Sequence, residues 1–283
     1  MPALRPLLSG FGAVGLVLAF SSPARGADQA WNIPFSQEFE GAGIEWTLSP
    51  IPTRGAALNL LVGRPRGEAR GAVLLFPGGH GAGMFRERWD GFWLGGNFLV
   101  RNAPRFAKEG FLAAVVDAPS DHASGMSDAF RTSPEHLADA EAAANHLAKA
   151  GVKDIFLVGT SRGTLSVAYL ATRIKHPAVK GFVLSSSMNS ISNFPLEEIA
   201  LPTLVVHHAQ DECRATAYSA AQAAYGRLKA PRKHFVTVSG GDTPVSGPCE
   251  ARSAHGYLGK EREVIGAIVR WLKGEAAPAR IDP

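Results

Sequence analysis

Residues 159–163 read Gly-Thr-Ser-Arg-Gly and join an apolar run suited to a strand ("DIFLV", 154–158) to one suited to a helix ("TLSVAYLATRI", from Thr164). A chain that passes from strand to helix within five residues must turn sharply. Little room for side chains is then left beside the backbone, and the central residue is forced into a strained conformation. Ser161 has two readings. It is either a simple helix cap or a nucleophile held out in the open on a strand-to-helix corner. A preceding strand and a following helix are the context that gives G-x-S-x-G its chemical meaning, so the second is favoured.

The same alternation extends in both directions. "AALNLLVGRP", "GAVLLFPGG" and "GFLAAVVDAPS" read as strands, as do "VKGFVLSSS", "PTLVVHHAQ" and "HFVTVSG" later in the chain. Helical patterns lie between them. The clearest spans residues 133–151, with Ser133 at N-cap, Pro134 at the first helical position, Glu135 in the first turn and Gly151 at the end. "FLVRNAPRFAKEG" looks helical near its end, and "SAAQAAYGRLK" and "EREVIGAIVRWLKG" close the series. Before Ala56, Pro34, Pro50 and Pro52 suggest an irregular or β-hairpin lead-in. This pattern predicts one α/β domain over residues 27–283: a mostly parallel twisted sheet with helices on both faces. Reactive groups in such a sheet collect at the carboxyl ends of the strands.

Composition narrows the function classes. The chain is 46% apolar and 19% charged, ordinary for a globular protein. Its net charge of +4 is mild and no Lys/Arg-dense run is present, so nucleic acid is not an expected partner. Arg5, the apolar stretch "LLSGFGAVGLVLAF" and the small residues of "SSPARGA" form the three parts of a secretory signal peptide at residues 1–26. The apolar stretch is shorter than the roughly 18 residues of a membrane span, so stable membrane insertion is not expected; an uncleaved anchor is the alternative. The cut falls near Gly26–Ala27, and removing Arg5 and Arg25 takes the charge from +4 to +2. A periplasmic or secreted location follows. In an oxidising compartment the two cysteines, Cys213 and Cys249, are expected to pair, with two buried thiols as the alternative.

A serine hydroxyl needs a base, and the base needs an orienting acid. Asp211 occupies the turn after "LPTLVVHHAQ", whereas no carboxylate follows the preceding strand until Glu197; Glu212 is the adjacent alternative. Among nine histidines, His136, His146 and His176 lie on or near helices and read as surface residues. His234 begins a strand, and His255 sits in the loop between the last expected strand and helix. His207 and His208 are consecutive on a strand and point to opposite faces, which disfavours a shared metal. "GGHGAGMF" lacks the Lys-Ser/Thr of a phosphate-binding loop. No metal or cofactor is expected. Asp117 reads as a ligand of loop backbone.

With Ser161, Asp211 and His255 in that chain order, residues 55–273 resemble the α/β-hydrolase superfamily. The resemblance implies a sheet of about eight strands and an oxyanion hole. One N–H would come from Arg162, after the nucleophile, and the other from "LLFPGGHGAG". Many members carry His-Gly at that place; this chain has Pro77-Gly78, which puts Gly79 at the hole, or His80 if the register shifts by one. Arg162's side chain reads either as a first-turn group reaching solvent or a carboxylate, or as one that stabilises neighbouring loops or an anionic substrate group. Only about fifteen residues separate "VLSSS" from Pro202, too few for a helical lid domain. The loop holding Phe85, Trp89, Phe92, Trp93 and Phe98, with Met126 and Phe130 nearby, is expected partly to pack and partly to line an acyl pocket. The expected function is serine-dependent cleavage of a small-molecule carboxylic ester. Peptidase, acyltransferase and non-catalytic binding protein are the alternatives.

Overall fold

The computed structural model describes residues 43–88 and 91–283; the leader expected at residues 1–26, and Trp89, lie outside them. Strands β1 (Glu45–Thr53) and β2 (Ala56–Arg64) form an antiparallel hairpin. Next, β3 (Gly71–Phe76) leads to a small hairpin, β4 (Phe85–Arg88) and β5 (Gly91–Leu94), and to helices α1 (Phe98–Arg101) and α2 (Ala103–Lys108). β6 (Phe111–Val116) is followed by α3 (Asp128–Arg131) and α4 (Pro134–Lys149). Then come β7 (Ile155–Thr160), α5 (Gly163–Ala171), β8 (Val179–Ser185), β9 (Thr203–His208) and α6 (Tyr218–Arg227). β10 (Lys233–Val238), α7 (Glu261–Leu272) and β11 (Arg280–Ile281) complete the chain.

Among the described residues the main sheet has nine strands, in the order β1-β2-β6-β3-β7-β8-β9-β10-β11. β2 runs antiparallel to both its neighbours, and every pairing from β6 to β11 is parallel. The expected fold class holds, with the short β11 added. β1 contains Pro50 and Pro52, so of the two forms expected for this lead-in the β-hairpin is the one observed; Pro34 lies outside the described residues. Two residues apart on an edge strand, both prolines turn their missing N–H groups the same way, so neither breaks the ladder to β2.

The period of two along β3 divides the core. Ala72, Leu74 and Phe76 join one apolar cluster with α4, α5 and α6, while Val73 and Leu75 join a second with α1, α2 and α7. Burying each such large side chain contributes about 1.5–3 kcal/mol. α4 begins as expected, with Ser133 Oγ accepting from the His136 N–H at 3.2 Å. It docks on the sheet through His136, Asp139, Ala140, Ala143, Ala144 and Leu147. His136 is therefore a core residue, contrary to the surface position expected for it. Asp139 is buried because Arg54 (Nε at 2.8 Å) and Thr53 (Oγ1 at 3.0 Å) satisfy its carboxylate. Between β8 and β9 the chain makes only two 3-10 turns, Asn189–Asn193 and Leu196–Glu198, and no lid domain.

Candidate active site

β7 ends in the turn that opens α5, and Ser161 sits there with φ +51°. Its N–H donates to Ser185 O (3.0 Å), and its carbonyl accepts from Thr164 N (2.8 Å) and Thr164 Oγ1 (2.6 Å). This positive φ is costly for a residue with a side chain, and these bonds hold it in place. The two flanking glycines are demanded by close approach. A Cβ on Gly159 would lie 2.5 Å from Gly163 O, and one on Gly163 would collide with Phe76 O.

Asp211 and His255 come together on loops after β9 and β10. His255 occupies a 3-10 turn, Ala254–Gly256, where Ser253 Oγ accepts from its N–H and its carbonyl accepts from Ser186 Oγ (2.8 Å). The next residue, Tyr257, is buried; its hydroxyl donates to Val206 O (2.8 Å) and accepts from Ser186 N (3.0 Å), which anchors the His255 loop to the ends of β8 and β9. His255 Nδ1 lies 2.9 Å from Asp211 Oδ2. Asp211 also accepts from Cys213 N (3.0 Å) and Thr216 Oγ1 (3.0 Å). Beneath it is His207, whose Nδ1 accepts from Ser187 N (3.2 Å). Its proton therefore rests on Nε2, 2.8 Å from Thr216 O and 3.5 Å from Asp211 Oδ2. Burial pushes the Asp211 carboxyl up, but hydrogen bonds from His207, His255 and the Cys213 N–H outweigh it, so the carboxyl falls well below the usual carboxylate range. Glu212 is exposed and faces away, beside His208 and Asp242.

Ser161 and His255 line one small cleft with Gly79, Asn97, Phe98, Thr160, Cys249, Ala251 and Gly256. Cys213 and Cys249 are joined by a disulfide, with Cα atoms 4.6 Å apart, so the bond connects the Asp211 turn to the cleft wall. Among the described residues no carbonyl accepts from the N–H of Gly79 or of Arg162. His80 folds back instead: its Nδ1 accepts from Ala82 N (3.1 Å) and its carbonyl from Met126 N (2.7 Å). The Arg162 guanidinium turns to Asp128 (Nε at 2.7 Å) and Met126 O (3.4 Å), tying α3 and its approach to the elbow. From α3, Arg131 runs into the interior and donates to Ser166 Oγ (3.2 Å) and Gly79 O (3.3 Å). Burial foremost, then the nearby Arg162 charge, pushes Arg131 down to about 10.

The aromatic residues divide between packing and the cleft. Phe85 and Phe98 are buried in the second core cluster and Phe92 packs against it. The Arg86 guanidinium stacks on Trp93. Met126 and Phe130 form a small cluster with Ala82 and Ala118. Of these residues only Phe98 lines the cleft. Asp117 Oδ1 accepts from the Ala118 N–H (2.9 Å), as expected of a loop ligand. Thr216, Arg131 and Tyr257 carry no local signal in the sequence, and His207 reads there only as a disfavoured metal ligand; the partners that define their roles are distant along the chain.

No protein-family model matches the chain, and no curated sequence does. Solved structures are similar in fold. Est1E from Butyrivibrio proteoclasticus aligns with a TM-score of 0.58 at 18% identity, over 80% of this chain and 98% of that one. A predicted CIB-like hydrolase from Thermoplasma acidophilum aligns at 0.53 and 16% identity, over 82% of this chain and 100% of that one. The proline iminopeptidase of Mycobacterium smegmatis aligns at 0.56 and 12% identity, over 81% and 98%. The nine-stranded, mostly parallel sheet and these superpositions agree: the chain has the α/β-hydrolase fold.

Proposed function

We propose that this protein is an exported serine hydrolase of small carboxylic esters. The observation that carries the proposal is the shared cleft of Ser161 and His255, with the far nitrogen of that histidine on a buried carboxylate at 2.9 Å. Ser161 Oγ attacks the ester carbonyl carbon while His255 Nε2 takes its proton. Asp211 holds the imidazole in the tautomer that leaves Nε2 free to accept, and stabilises the imidazolium that forms. The unspent N–H groups of Gly79 and Arg162 take the oxyanion. The tetrahedral intermediate collapses, His255 returns the proton to the departing alkoxide, and the alcohol leaves. Water, deprotonated by His255, then attacks the acyl-enzyme, and the acid departs as Ser161 is reprotonated.

The small cleft and its single large apolar wall, Phe98, favour short uncharged acyl groups. The disulfide and the leader-like N-terminus support export. Turnover of 4-nitrophenyl esters of increasing chain length, set against matching anilides, tests the reaction class. Hydrolysis of acetate and butyrate esters is expected, with far slower cleavage of anilides. Ser161→Ala and His255→Ala should each lower kcat by about a millionfold, as in other serine triads, and Asp211→Asn by somewhat less. Ester turnover by Ser161→Ala near the wild-type rate would end the assignment.

A further inference from the structure

Asn97 carries an amide whose two ends face different surroundings. Its Oδ1 accepts from the Leu99 N–H at 3.1 Å and so caps the first turn of α1. That bond decides which end of the amide is which, because the oxygen must stay on the backbone. The NH₂ end is thereby turned outward, and among the described residues Nδ2 has no hydrogen-bond partner. It does have a neighbour: a Cβ placed on Gly78 would lie 3.4 Å from Asn97 Nδ2 and 2.8 Å from Ser161 Cβ. The amide, the Thr160 carbonyl (3.1 Å from the same point) and Ser161 thus surround one glycine, and a side chain at 78 would crowd all three. Asn97, Gly79, Ser161 and His255 all line the same cleft.

From this geometry we infer that Asn97 Nδ2 is a third donor to the oxyanion, alongside the N–H groups of Gly79 and Arg162. The inference rests on Ser161 being the nucleophile. A neutral amide suits the task, since it presents N–H dipoles without altering the charge state of Asp211 or His255. It bonds weakly to the ester carbonyl of the bound substrate and more strongly to the anionic oxygen of the tetrahedral intermediate. Its contribution therefore falls on kcat and little on KM. Capping alone does not call for Asn, because Asp and Ser cap a helix about as well. Asn differs from both in carrying a donor beside the capping oxygen.

That difference supplies the test. Asn97→Asp and Asn97→Ser both keep an oxygen for the Leu99 N–H, and both remove the NH₂ group. With 4-nitrophenyl acetate as probe, each should lose about a hundredfold or more in kcat, as removal of one oxyanion donor does elsewhere, with KM changed by no more than a few fold. Melting temperatures should stay close to wild type, and if one variant fails to fold the other carries the test. Wild-type kcat in a folded variant would overturn the inference. So would a raised KM at unchanged kcat, which would make Asn97 a contact to the ground-state substrate only. Wild-type protein that neither turns over the ester nor takes up a fluorophosphonate at Ser161 would refute the nucleophile reading itself, and this inference with it.

Discussion

His136 makes acid stability a sharp test of how the loop after β6 is held. The ring is only 2% exposed. It lies edge-on to Phe76 (5.8 Å between centroids), at the end of β3, and to Phe130 (5.5 Å), beside Arg131 on α3. Among the described residues neither ring nitrogen has a hydrogen-bond partner. Burial foremost, then the positive charges of Arg131 and Arg54, pushes its pKa down from 6.5 to about 3. The folded value is the lower one, so above pH 6.5 the ring is neutral in both states and folding is unaffected. As pH falls below that, the unfolded chain binds a proton that the native state refuses, and stability is lost until about pH 3. The loss amounts to roughly 2 kcal/mol at pH 5 and roughly 4 kcal/mol by pH 3. For a domain of this size, 2 kcal/mol corresponds to a melting temperature lowered by about 4–8 °C. His136→Leu replaces the ring with an apolar side chain of similar volume and sacrifices no hydrogen bond. Calorimetry of wild type and variant at pH 7.5 and pH 5 should show the wild type losing about 4–8 °C more than the variant over that interval. Asp211 does not interfere, since a carboxyl with a depressed pKa loses its contribution only below its unfolded value of 3.8. Other groups cancel in the comparison. Equal pH dependence in the two proteins would refute the reasoning and show that the ring is solvated or paired.

Two further predictions concern export and the crosslink. Expressed with its leader in a bacterium, the protein should be recovered from the periplasm with its N-terminus near Ala27, as Edman sequencing would read; a chain starting at Met1 in a membrane fraction would point to an anchor. The Cys213–Cys249 bond closes 36 residues and should stabilise the fold by about 4 kcal/mol in the chain-entropy model. The double variant Cys213→Ser/Cys249→Ser should therefore melt lower. Because Cys249 lines the cleft, kcat should fall as well; an unchanged kcat would leave the bond a staple remote from the chemistry.

The candidate site was legible because a parallel sheet gathers its strand ends on one edge. Ser161 directly follows β7 and Asp211 lies in the turn after β9, whereas His255 sits far along the loop after β10 and Gly79 is read only through the family resemblance. What escaped the sequence was whatever two distant segments decide jointly. α4 shows why. Its buried positions, 136, 139, 140, 143, 144 and 147, recur at the spacing of one helix face, so the stripe was present in the sequence. Two of its members are His136 and Asp139, whose polarity disguised it. Asp139 is tolerated there because Arg54 and Thr53, on the β1–β2 hairpin, reach it, a fact no local window contains. Arg131 follows the same logic more severely. Among the described residues it has no carboxylate partner; it is buried and bonded to Gly79 O and Ser166 Oγ, and such a cation is costly in a protein interior. Its position makes sense only once the Gly79 loop and the elbow helix are seen to meet over it. The residues proposed to act on substrate therefore follow from topology. Those that hold them in place, Arg131, His207, Thr216 and Tyr257, follow from packing between segments far apart in the chain.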